Sequence, residues 1–272
     1  MKKILLIIFL LLISNKAWAT TYCTDASIGG CWLMNDTSGN IADTSGNGYN
    51  STNSGGTITY SQSGTFNNAI AFSSSGYFRW IGSWPLLKVS LPITFVGWIK
   101  PNSVTTNNPI FANEGWRNSA GNLSGAWMII DSSGHVQCGF GDNTSNTTTG
   151  EQLDTSTPTI SASTFTHVAC VINGASNMSI YINGSSVAGT YSGSGGALAY
   201  RGGGGDNPYM ASNAWGDTFM TGTLDQVAEF GRALSSTDIS NIEASGLGSS
   251  ESGGGVTSTT INGATINGAT IN

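Results

Sequence analysis

The sequence has 272 residues, a formal net charge of −6 and only 9% charged residues, whereas ordinary globular proteins have about 25%. Acidic residues outnumber basic ones by fifteen to nine. This balance argues against nucleic acid or an anionic membrane as the partner, because phosphate binding needs clustered lysine and arginine. Glycine, serine, threonine and asparagine are abundant instead, and this composition favours an extracellular all-β domain with uncharged polar loops.

Residues 1–19 have the pattern of a secretory signal peptide, with two early lysines, an apolar run over 4–13 and alanines at 17 and 19. The apolar run is shorter than the roughly 20 residues that cross a bilayer. We therefore expect a secreted or cell-surface protein without membrane insertion of the mature chain. Three of the nine basic residues lie in this segment, which leaves six basic and fifteen acidic groups and a formal net charge of −9.

Short apolar stretches separated by turn residues follow over residues 29–247. Short apolar stretches bounded by turn residues predict β-strands, and in the closing strand within 222–233 apolar residues alternate with polar ones. So many short strands favour an antiparallel two-sheet jelly-roll sandwich. One short C-terminal helix is predicted at 236–244, after a start that resembles a capping box. The predicted strands are 29–34, 69–72, 77–80, 93–99, 110–112, 126–130, 136–140, 165–172, 178–182, 187–190, 209–211 and a closing strand within 222–233.

The four cysteines predict two disulfides, since an even number in an exported chain favours pairing. Three pairings are possible. We expect Cys23–Cys31 as a local staple and Cys138–Cys170 as a bridge between strands, because Cys138 and Cys170 both lie in strand-like His-Val-x-Cys segments. No two cysteines have the Cys-x-x-Cys spacing that is typical of zinc sites.

The last part of the chain differs from the rest. Residues 248–260 are rich in glycine and serine and predict a flexible linker. In 261–272 the unit Ile-Asn-Gly-Ala-Thr recurs every five residues, a period that resembles pentapeptide-repeat β-helices. One repeat cannot bury its apolar residue alone. Either this tail is disordered or the chain is the front of a longer repeat protein, and the second case would allow self-assembly through the repeats.

Four segments of the chain carry recognisable motifs. They are Trp-Leu-Met-Asn-Asp-Thr-Ser-Gly from Trp32 with Asp-Thr-Ser-Gly-Asn-Gly-Tyr-Asn from Asp43, Ile-Thr-Phe-Val-Gly-Trp-Ile-Lys-Pro from Ile93, Thr-Phe-Thr-His-Val-Ala from Thr164 with Ile-Tyr-Ile-Asn-Gly from Ile180, and Gly-Thr-Leu-Asp-Gln-Val-Ala-Glu-Phe-Gly-Arg-Ala from Gly222. In this order they resemble the laminin-G-like, concanavalin-A-like jelly-roll family of extracellular modules. The resemblance covers residues 29–247 and implies two antiparallel sheets packed face to face, within a domain over 20–247. It does not imply one function, because such folds carry lectins, adhesins, glycosidases and spacers alike.

The resemblance also implies a structural cation, because the family often places one where the first Asp-rich loop meets an acid of the closing strand. Oxygen-rich loops suit calcium, and here the predicted ligands are Asp43, Asn47 and Asp225. The family's neighbouring acids are replaced by Asn35 and Gln226, which lowers the local negative charge. The alternative is that Asp43 and Asn47 make side-chain turns while Asp225 accepts backbone hydrogen bonds.

A catalytic site is not expected. Jelly-roll glycosidases of this type carry Glu-x-Asp-x-x-Glu on one strand, and retaining chemistry needs two carboxyl groups about 5 Å apart. The nearest match runs from Thr223 through Asp225 to Glu229 and lacks the first glutamate. Neither His135 nor His167 has the spacing of a metal site or a catalytic triad, and we interpret both as structural.

Several aromatic residues lie in loop-like or strand-end surroundings, where exposed rings could stack on sugars. The alternative is that they cover sheet edges or plug the sandwich. The sequence therefore favours a non-catalytic recognition or adhesion module for a glycan or another cell-surface ligand. The structural head of a fibre or surface polymer is the first alternative, and a polysaccharide-active enzyme is the second. The candidate ligand-binding residues are Trp80, Trp84, Trp116, Tyr209 and Trp215.

Overall fold

A computed structural model describes residues 21–114, 122–144, 151–193, 196–201, 207–213 and 218–248, apart from the side chains of Asn53 and Glu151. The signal segment at 1–19, the repeat tail at 261–272, Trp116 and Trp215 therefore lie outside the described residues. No helix within the described ranges is long and apolar enough to cross a bilayer.

The described chain is almost entirely antiparallel β-structure, as the sequence predicts. Two single-turn 3₁₀ helices, at Tyr22–Thr24 and Pro85–Leu87, and one α-helix, α1 (Ser236–Ser245), accompany the strands. The strands are β1 (Ile28–Trp32), β2 (Asn53–Ser63), β3 (Asn68–Arg79), β4 (Ile93–Pro101), β5 (Asn108–Ala112), β6 (Ser124–Ile130), β7 (Val136–Asp142), β8 (Glu151–Thr155), β9 (Thr166–Gly174), β10 (Asn177–Ile182), β11 (Ser185–Val187), β12 (Gly189–Gly193), β13 (Tyr209–Met210) and β14 (Gly222–Phe230).

The strands form one continuous sheet that folds over on itself. Its order is β11-β10-β9-β4-β14-β3-β13-β5-β6-β7-β8-β12, with β1 added to β14 and β2 added to β3. Cys138 on β7 and Cys170 on β9 are far apart in this order, yet they form a disulfide with their Cα atoms 5.9 Å apart. The two halves of the sheet must therefore face each other. This is the predicted sandwich of the jelly-roll type, and the second disulfide, Cys23–Cys31, is confirmed as well.

The main core fills the space between the two halves. Phe95 from β4 and Phe111 from β5 meet there with ring centroids 5.6 Å apart, and both are completely buried. A second apolar cluster lies on the outer face of β4, β9 and β14, where Ile239 and Ile242 of α1 cover Phe230. Burial of such side chains contributes about 25 cal/mol per Å² of apolar area, so both faces of β14 add to stability.

The helix begins where the sequence predicts and for the expected reason. The Ser235 hydroxyl accepts a hydrogen bond from the Asp238 N–H at 3.1 Å, and the Asp238 carboxylate accepts one from the Ser235 N–H at 3.0 Å. This reciprocal pair is a capping box, which satisfies two N–H groups that have no partner inside the helix.

Two strands of the structure were not predicted. β2 contains only Ile58 and Tyr60 as large apolar residues, and β8 contains only Leu153, so neither shows a clear two-residue period. The predicted strands 69–72 and 77–80 are a single strand, β3. The predicted strand 187–190 is divided, since β11 pairs with β10 whereas β12 pairs with β8. The chain thus passes from one edge of the sheet to the other at Ala188.

Candidate functional site

The Asp43 loop is held by hydrogen bonds within the protein. Asp43 Oδ1 accepts from the N–H groups of Cys31 and Ser45 at 3.0 and 2.9 Å. Its Oδ2 accepts from the Ser45 hydroxyl and the Tyr49 N–H at 2.7 and 2.9 Å. A carboxylate has about four acceptor positions, so protein donors fill those of Asp43. A cation at this carboxylate would have to displace some of them.

Asn47 lies next to Asp43 but uses its amide nitrogen rather than an oxygen. Its Nδ2 donates to the carbonyls of Ile28 and Gly29 at 2.9 and 3.0 Å. The structure therefore brings Asp43 and Asn47 together at β1, where both fasten the loop. Within the described part of the chain, no three histidine, cysteine, aspartate or glutamate side chains are grouped so that they could hold a metal ion.

Asp225 is fully buried and is fastened to a different loop. Its Oδ2 accepts from the backbone N–H groups of Thr65 and Phe66 at 2.8 and 2.9 Å. These residues belong to the turn between β2 and β3, so these bonds do not bring Asp225 to the Asp43 loop. A Cβ atom at Gly64 would lie 2.7 Å from the same oxygen, and the close approach of this turn therefore requires glycine. Calcium binding by Asp43, Asn47 and Asp225 stays a prediction.

Trp80 and Trp84 both pack into one end of the sandwich, Trp80 completely and Trp84 in part. Trp80 is completely buried, and its Nε1 donates to the Tyr49 carbonyl at 2.7 Å, so the expectation that this ring is exposed is wrong. Its ring lies 4.8 Å from the Trp32 ring. Trp84 is partly buried against the core and meets Tyr49 edge-on at 5.2 Å. Both rings close this end of the sandwich, because they pack against the large aromatic residues that line the interior there.

Tyr209 lies among other rings on the outer face of the sheet. Its neighbour Met210 enters the core, so alternation along β13 turns Tyr209 outward. The Tyr77 ring lies 6.3 Å from Tyr209 and 6.1 Å from Phe219. We call Tyr77, Tyr209 and Phe219 the aromatic patch. Tyr77 and Phe219 are partly exposed, whereas Tyr209 is only 8% exposed and supports the other two from beneath.

The position of the Tyr77 ring depends on a glycine in the neighbouring strand. Gly55 of β2 pairs with Tyr77 of β3. A Cβ atom at Gly55 would lie 2.5 Å from Tyr77 Cε1 and 2.8 Å from Cζ. The ring therefore lies across β2 in space that any other residue would fill, and this placement keeps it flat against the sheet.

Beside the patch is a surface pocket of about 580 Å³. We call it the Phe219 pocket, because Phe219 is both part of its wall and part of the aromatic patch. Four separate stretches of chain contribute to it. Its lining residues are Ser74, Ser75, Thr106, Asn107, Ser132, Thr218, Phe219 and Thr221.

Two of these serines have an uncommon backbone conformation. Ser74 and Ser75 have φ angles of 45° and 65°, in the left-handed region that most residues avoid. The bend approaches the neighbouring strand closely, since a Cβ atom at Gly56 would lie 2.2 Å from the Ser75 carbonyl, so position 56 requires glycine. Such strained residues often occur at functional sites. Here the bend places both serines at the edge of the Phe219 pocket.

A second pocket of about 330 Å³ lies on another part of the surface, next to Asn47. It shares no lining residue with the Phe219 pocket. Asp25 is in its wall but is committed to an ion pair with Arg232, at 2.8 Å. Leu86, which is 44% exposed, is also in its wall.

The carboxyl groups of β14 are placed unlike a glycosidase pair. Asp225 pairs with Trp98 and Glu229 pairs with Phe95. Trp98 and Phe95 are three residues apart on a regular strand, so the two acids lie on opposite faces of the sheet. Both acids are completely buried. Glu229 faces the sandwich interior, where its Oε1 accepts from Asn113 Nδ2 at 2.9 Å.

The two histidines also have structural positions. His167 is completely buried, with its ring 5.2 Å from the Trp98 ring. Burial lowers the pKa of His167 to about 3, so the ring is neutral at physiological pH. His135 lies at a turn, where its Nδ1 is 3.0 Å from Asp131 Oδ2. Neither histidine lines either of these pockets.

The comparisons with known proteins agree with this architecture. A laminin-G-type family model, described as the concanavalin A-like lectin/glucanases superfamily, matches residues 72–240. The chain therefore belongs to the concanavalin A-like lectin/glucanase superfamily. This superfamily includes both glycosidases and non-catalytic lectins. No curated protein sequence matches the chain significantly.

Solved structures show the same fold at low sequence identity. Domain 4 of the extracellular GH43 arabinanase AbnA from Geobacillus stearothermophilus, in complex with arabinotriose, is 21% identical with a TM-score of 0.57, and the match covers 80% of this chain and 98% of that one. The receptor-binding domain of botulinum neurotoxin mosaic serotype C/D is 16% identical with a TM-score of 0.56, covering 82% and 51%. A Trypanosoma rangeli sialidase mutant is 16% identical with a TM-score of 0.53, covering 81% and 33%.

The Phe219 pocket was not among the sequence predictions. Its wall consists of serine, threonine and asparagine residues from separate turns, and such residues are common throughout this sequence. The single local signal is the run Ser-Ser-Ser-Gly directly before Tyr77, which indicates a bend in an otherwise regular strand. Tyr209 is the predicted residue that lies at this surface.

Proposed function

We propose that this protein is a non-catalytic carbohydrate-recognition domain that binds its ligand at the Phe219 pocket. The observation that carries the proposal is the combination in one concave surface of a partly exposed ring and seven hydroxyl or amide side chains. The C–H face of a sugar packs against an aromatic ring, while its hydroxyl groups need hydrogen-bond partners around the rim. Binding sites of this kind are concave, with a few placed polar groups.

Family membership supports the proposal without deciding it, since the superfamily contains lectins as well as glycosidases. The arabinanase domain in complex with arabinotriose has the same fold and almost the same extent as this chain. The absence of catalysis is inferred from β14, where Thr223 replaces the first glutamate of the glycosidase pattern. The two remaining carboxyl groups are buried on opposite faces, so they cannot act together on one glycosidic bond.

Two disulfides in the described chain favour an extracellular location, because such bonds persist in oxidising compartments. The sequence pattern of residues 1–19 agrees with export. We therefore propose that the domain meets its glycan outside the cell or at its surface.

The test is a glycan array with the protein, followed by titration calorimetry of the best ligand. Phe219→Ala should weaken binding at least about tenfold, which corresponds to 1.4 kcal/mol, because the ring is the main apolar surface of the pocket. The matched control is Leu86→Ala, which removes an exposed apolar side chain from the separate pocket and should leave binding unchanged. An equal loss in both variants, or no loss in Phe219→Ala, would contradict the proposal.

Calcium is a separate prediction, made from the sequence. If Asp43, Asn47 and Asp225 bind it, calcium should raise the melting temperature relative to a chelator, since binding to the native state stabilises it by mass action. An unchanged melting temperature at millimolar calcium would remove this prediction and would leave the carbohydrate proposal intact.

A further inference from the structure

The described lining of the Phe219 pocket carries no charged side chain. Three serines, three threonines, one asparagine and one phenylalanine line it. None of the five described lysine and arginine residues is among them. Hydroxyl and amide groups both donate and accept hydrogen bonds, and sugar hydroxyls do the same. The lining is therefore matched to hydroxyl groups.

Three described cations are engaged in contacts of their own, and none of them lines the Phe219 pocket. The Arg79 guanidinium lies 6.0 Å from the centre of the Tyr209 ring, at the buried side of the aromatic patch. The Lys100 ammonium lies 4.6 Å from the centre of the Phe165 ring. Such cation–π contacts stabilise a cation in its place. Lys88 is paired with Glu114 at 3.0 Å.

A negative charge directly adjoins the pocket lining along the chain. Asp131 directly precedes the lining residue Ser132. Its carboxylate accepts a hydrogen bond from the Ser133 N–H at 2.8 Å and so closes a turn. The whole chain has fifteen acidic and nine basic residues. A carboxylate or sulfate group brought to this surface would meet repulsion, and it would lose hydration without gaining a charged partner.

We infer that the Phe219 pocket selects neutral glycans and discriminates against glycans that carry carboxylate or sulfate groups. The inference rests on the proposed carbohydrate-binding function and names the ligand class of the same site. Discrimination arises because anions accept hydrogen bonds but do not donate them, and the strong partners for anions are charged donors, which this wall does not contain.

The experiment compares the best neutral ligand of the glycan array with derivatives of the same backbone that carry a carboxymethyl or sulfate group. Binding of the neutral glycan should be insensitive to salt, because screening acts on charged pairs. The anionic derivatives should bind about tenfold more weakly or worse. Thr106→Lys places a cation on an exposed side of the pocket and should recover the anionic derivative, whereas the uncharged control Thr106→Gln should not.

The outcomes separate the two proposals. Tighter binding of the anionic derivative, with affinity that falls as salt rises, would overturn the inference and leave carbohydrate recognition in place. Equal affinity for neutral and anionic forms would overturn it as well. Failure of every glycan on the array to bind would overturn the proposed function itself, and the inference with it.

Discussion

Strand β14 buries two acids, and the comparison between them shows two ways in which a fold accommodates a carboxyl group. Asp225 lies on the outer face, where two backbone N–H groups donate to one of its oxygens. Glu229 lies on the inner face, where one asparagine amide donates to Oε1. Oε2 of Glu229 has no hydrogen-bond partner among the described residues. One oxygen of the outer acid thus accepts two hydrogen bonds, whereas one oxygen of the inner acid accepts a single one.

The protonation of the inner acid follows from this difference. Burial raises the pKa of Glu229 well above its usual 4.5, and the single hydrogen bond from Asn113 opposes this only in part. Removal from water penalises the charged form, whereas donors stabilise it. Burial and the neighbouring Glu229 also raise the pKa of Tyr200, whose hydroxyl accepts from the same Asn113 amide at 3.1 Å. The buried surroundings of Glu229 and Tyr200 thus favour the neutral form of both groups.

The largest effect is expected from removing the outer acid. Asp225→Ala leaves the N–H groups of Thr65 and Phe66 without their acceptor beneath the turn, and it should lower the free energy of unfolding by about 3–5 kcal/mol. Asp225→Asn keeps an acceptor oxygen of the same size and should lose clearly less. Urea unfolding measures both variants. A loss below about 1 kcal/mol in Asp225→Ala would mean that the turn is held by other contacts.

The buried Glu229 should make the free energy of unfolding fall as pH rises above about 4.3. Because its folded-state pKa is raised, its stabilising contribution is present below the unfolded-state value of about 4.3 and is lost as pH rises through the folded-state value, by up to about 1.4 kcal/mol per pH unit. Glu229→Gln should remove this slope from a series of unfolding measurements. Glu243→Gln, on the partly exposed side of α1, is the control. An unchanged slope in Glu229→Gln would contradict the assignment.

His167, on the outer face beside Trp98, should make the protein less stable at acid pH. Its folded-state pKa of about 3 is below the unfolded-state value of about 6.5. Below about pH 6.5 the unfolded chain binds a proton that the folded chain refuses, so stability falls as pH decreases towards 3, by up to about 1.4 kcal/mol per pH unit. His167→Phe should flatten the acid limb. His135→Gln should leave the acid dependence of the free energy of unfolding unchanged. Equal flattening in both variants would mean that His167 is not its cause.

The smallest effect is expected at the cap of α1, which covers the outer cluster. Ser235→Ala removes the hydroxyl that accepts from the Asp238 N–H and should cost about 1 kcal/mol. Ser236→Ala, at the next and exposed position, should be nearly neutral. Thermal unfolding measures the pair, and similar melting temperatures for the two variants would show that the capping box does not contribute.

Much of the fold could be predicted, because its signals are local. Alternation of apolar residues marks β4, β6, β7, β9 and β14, and the cysteine positions indicated both disulfides. β2 was not predicted because most of its side chains are small and polar. Its pairing with β3 is what defines it as a strand. The closing strand pairs with the first strand, with Trp32 opposite Val227.

The candidate site was harder to predict, because sequence does not show which side of a strand faces solvent. Trp80 has glycine- and serine-rich neighbours in the sequence, which indicate a loop. It lies in the core nevertheless, where its Nε1 donates to the Tyr49 carbonyl and its ring packs against the Trp32 ring. The Phe219 pocket is formed by turns that meet only after the sheet has folded over. Asp225 is a buried acid whose Oδ2 accepts from Thr65 and Phe66 in the turn between β2 and β3, a turn that the sequence does not link to it.

The crossing at Ala188 has a mechanical consequence. Since β11 and β12 are at the two ends of the strand order and a single residue separates them, the edges of the sheet cannot move apart by more than the length of two peptide units, about 7 Å. Cys138–Cys170 fastens the same two halves through the middle. The sandwich therefore cannot open like a hinge, and a ligand at the outer surface meets a rigid body in which only turns can adjust.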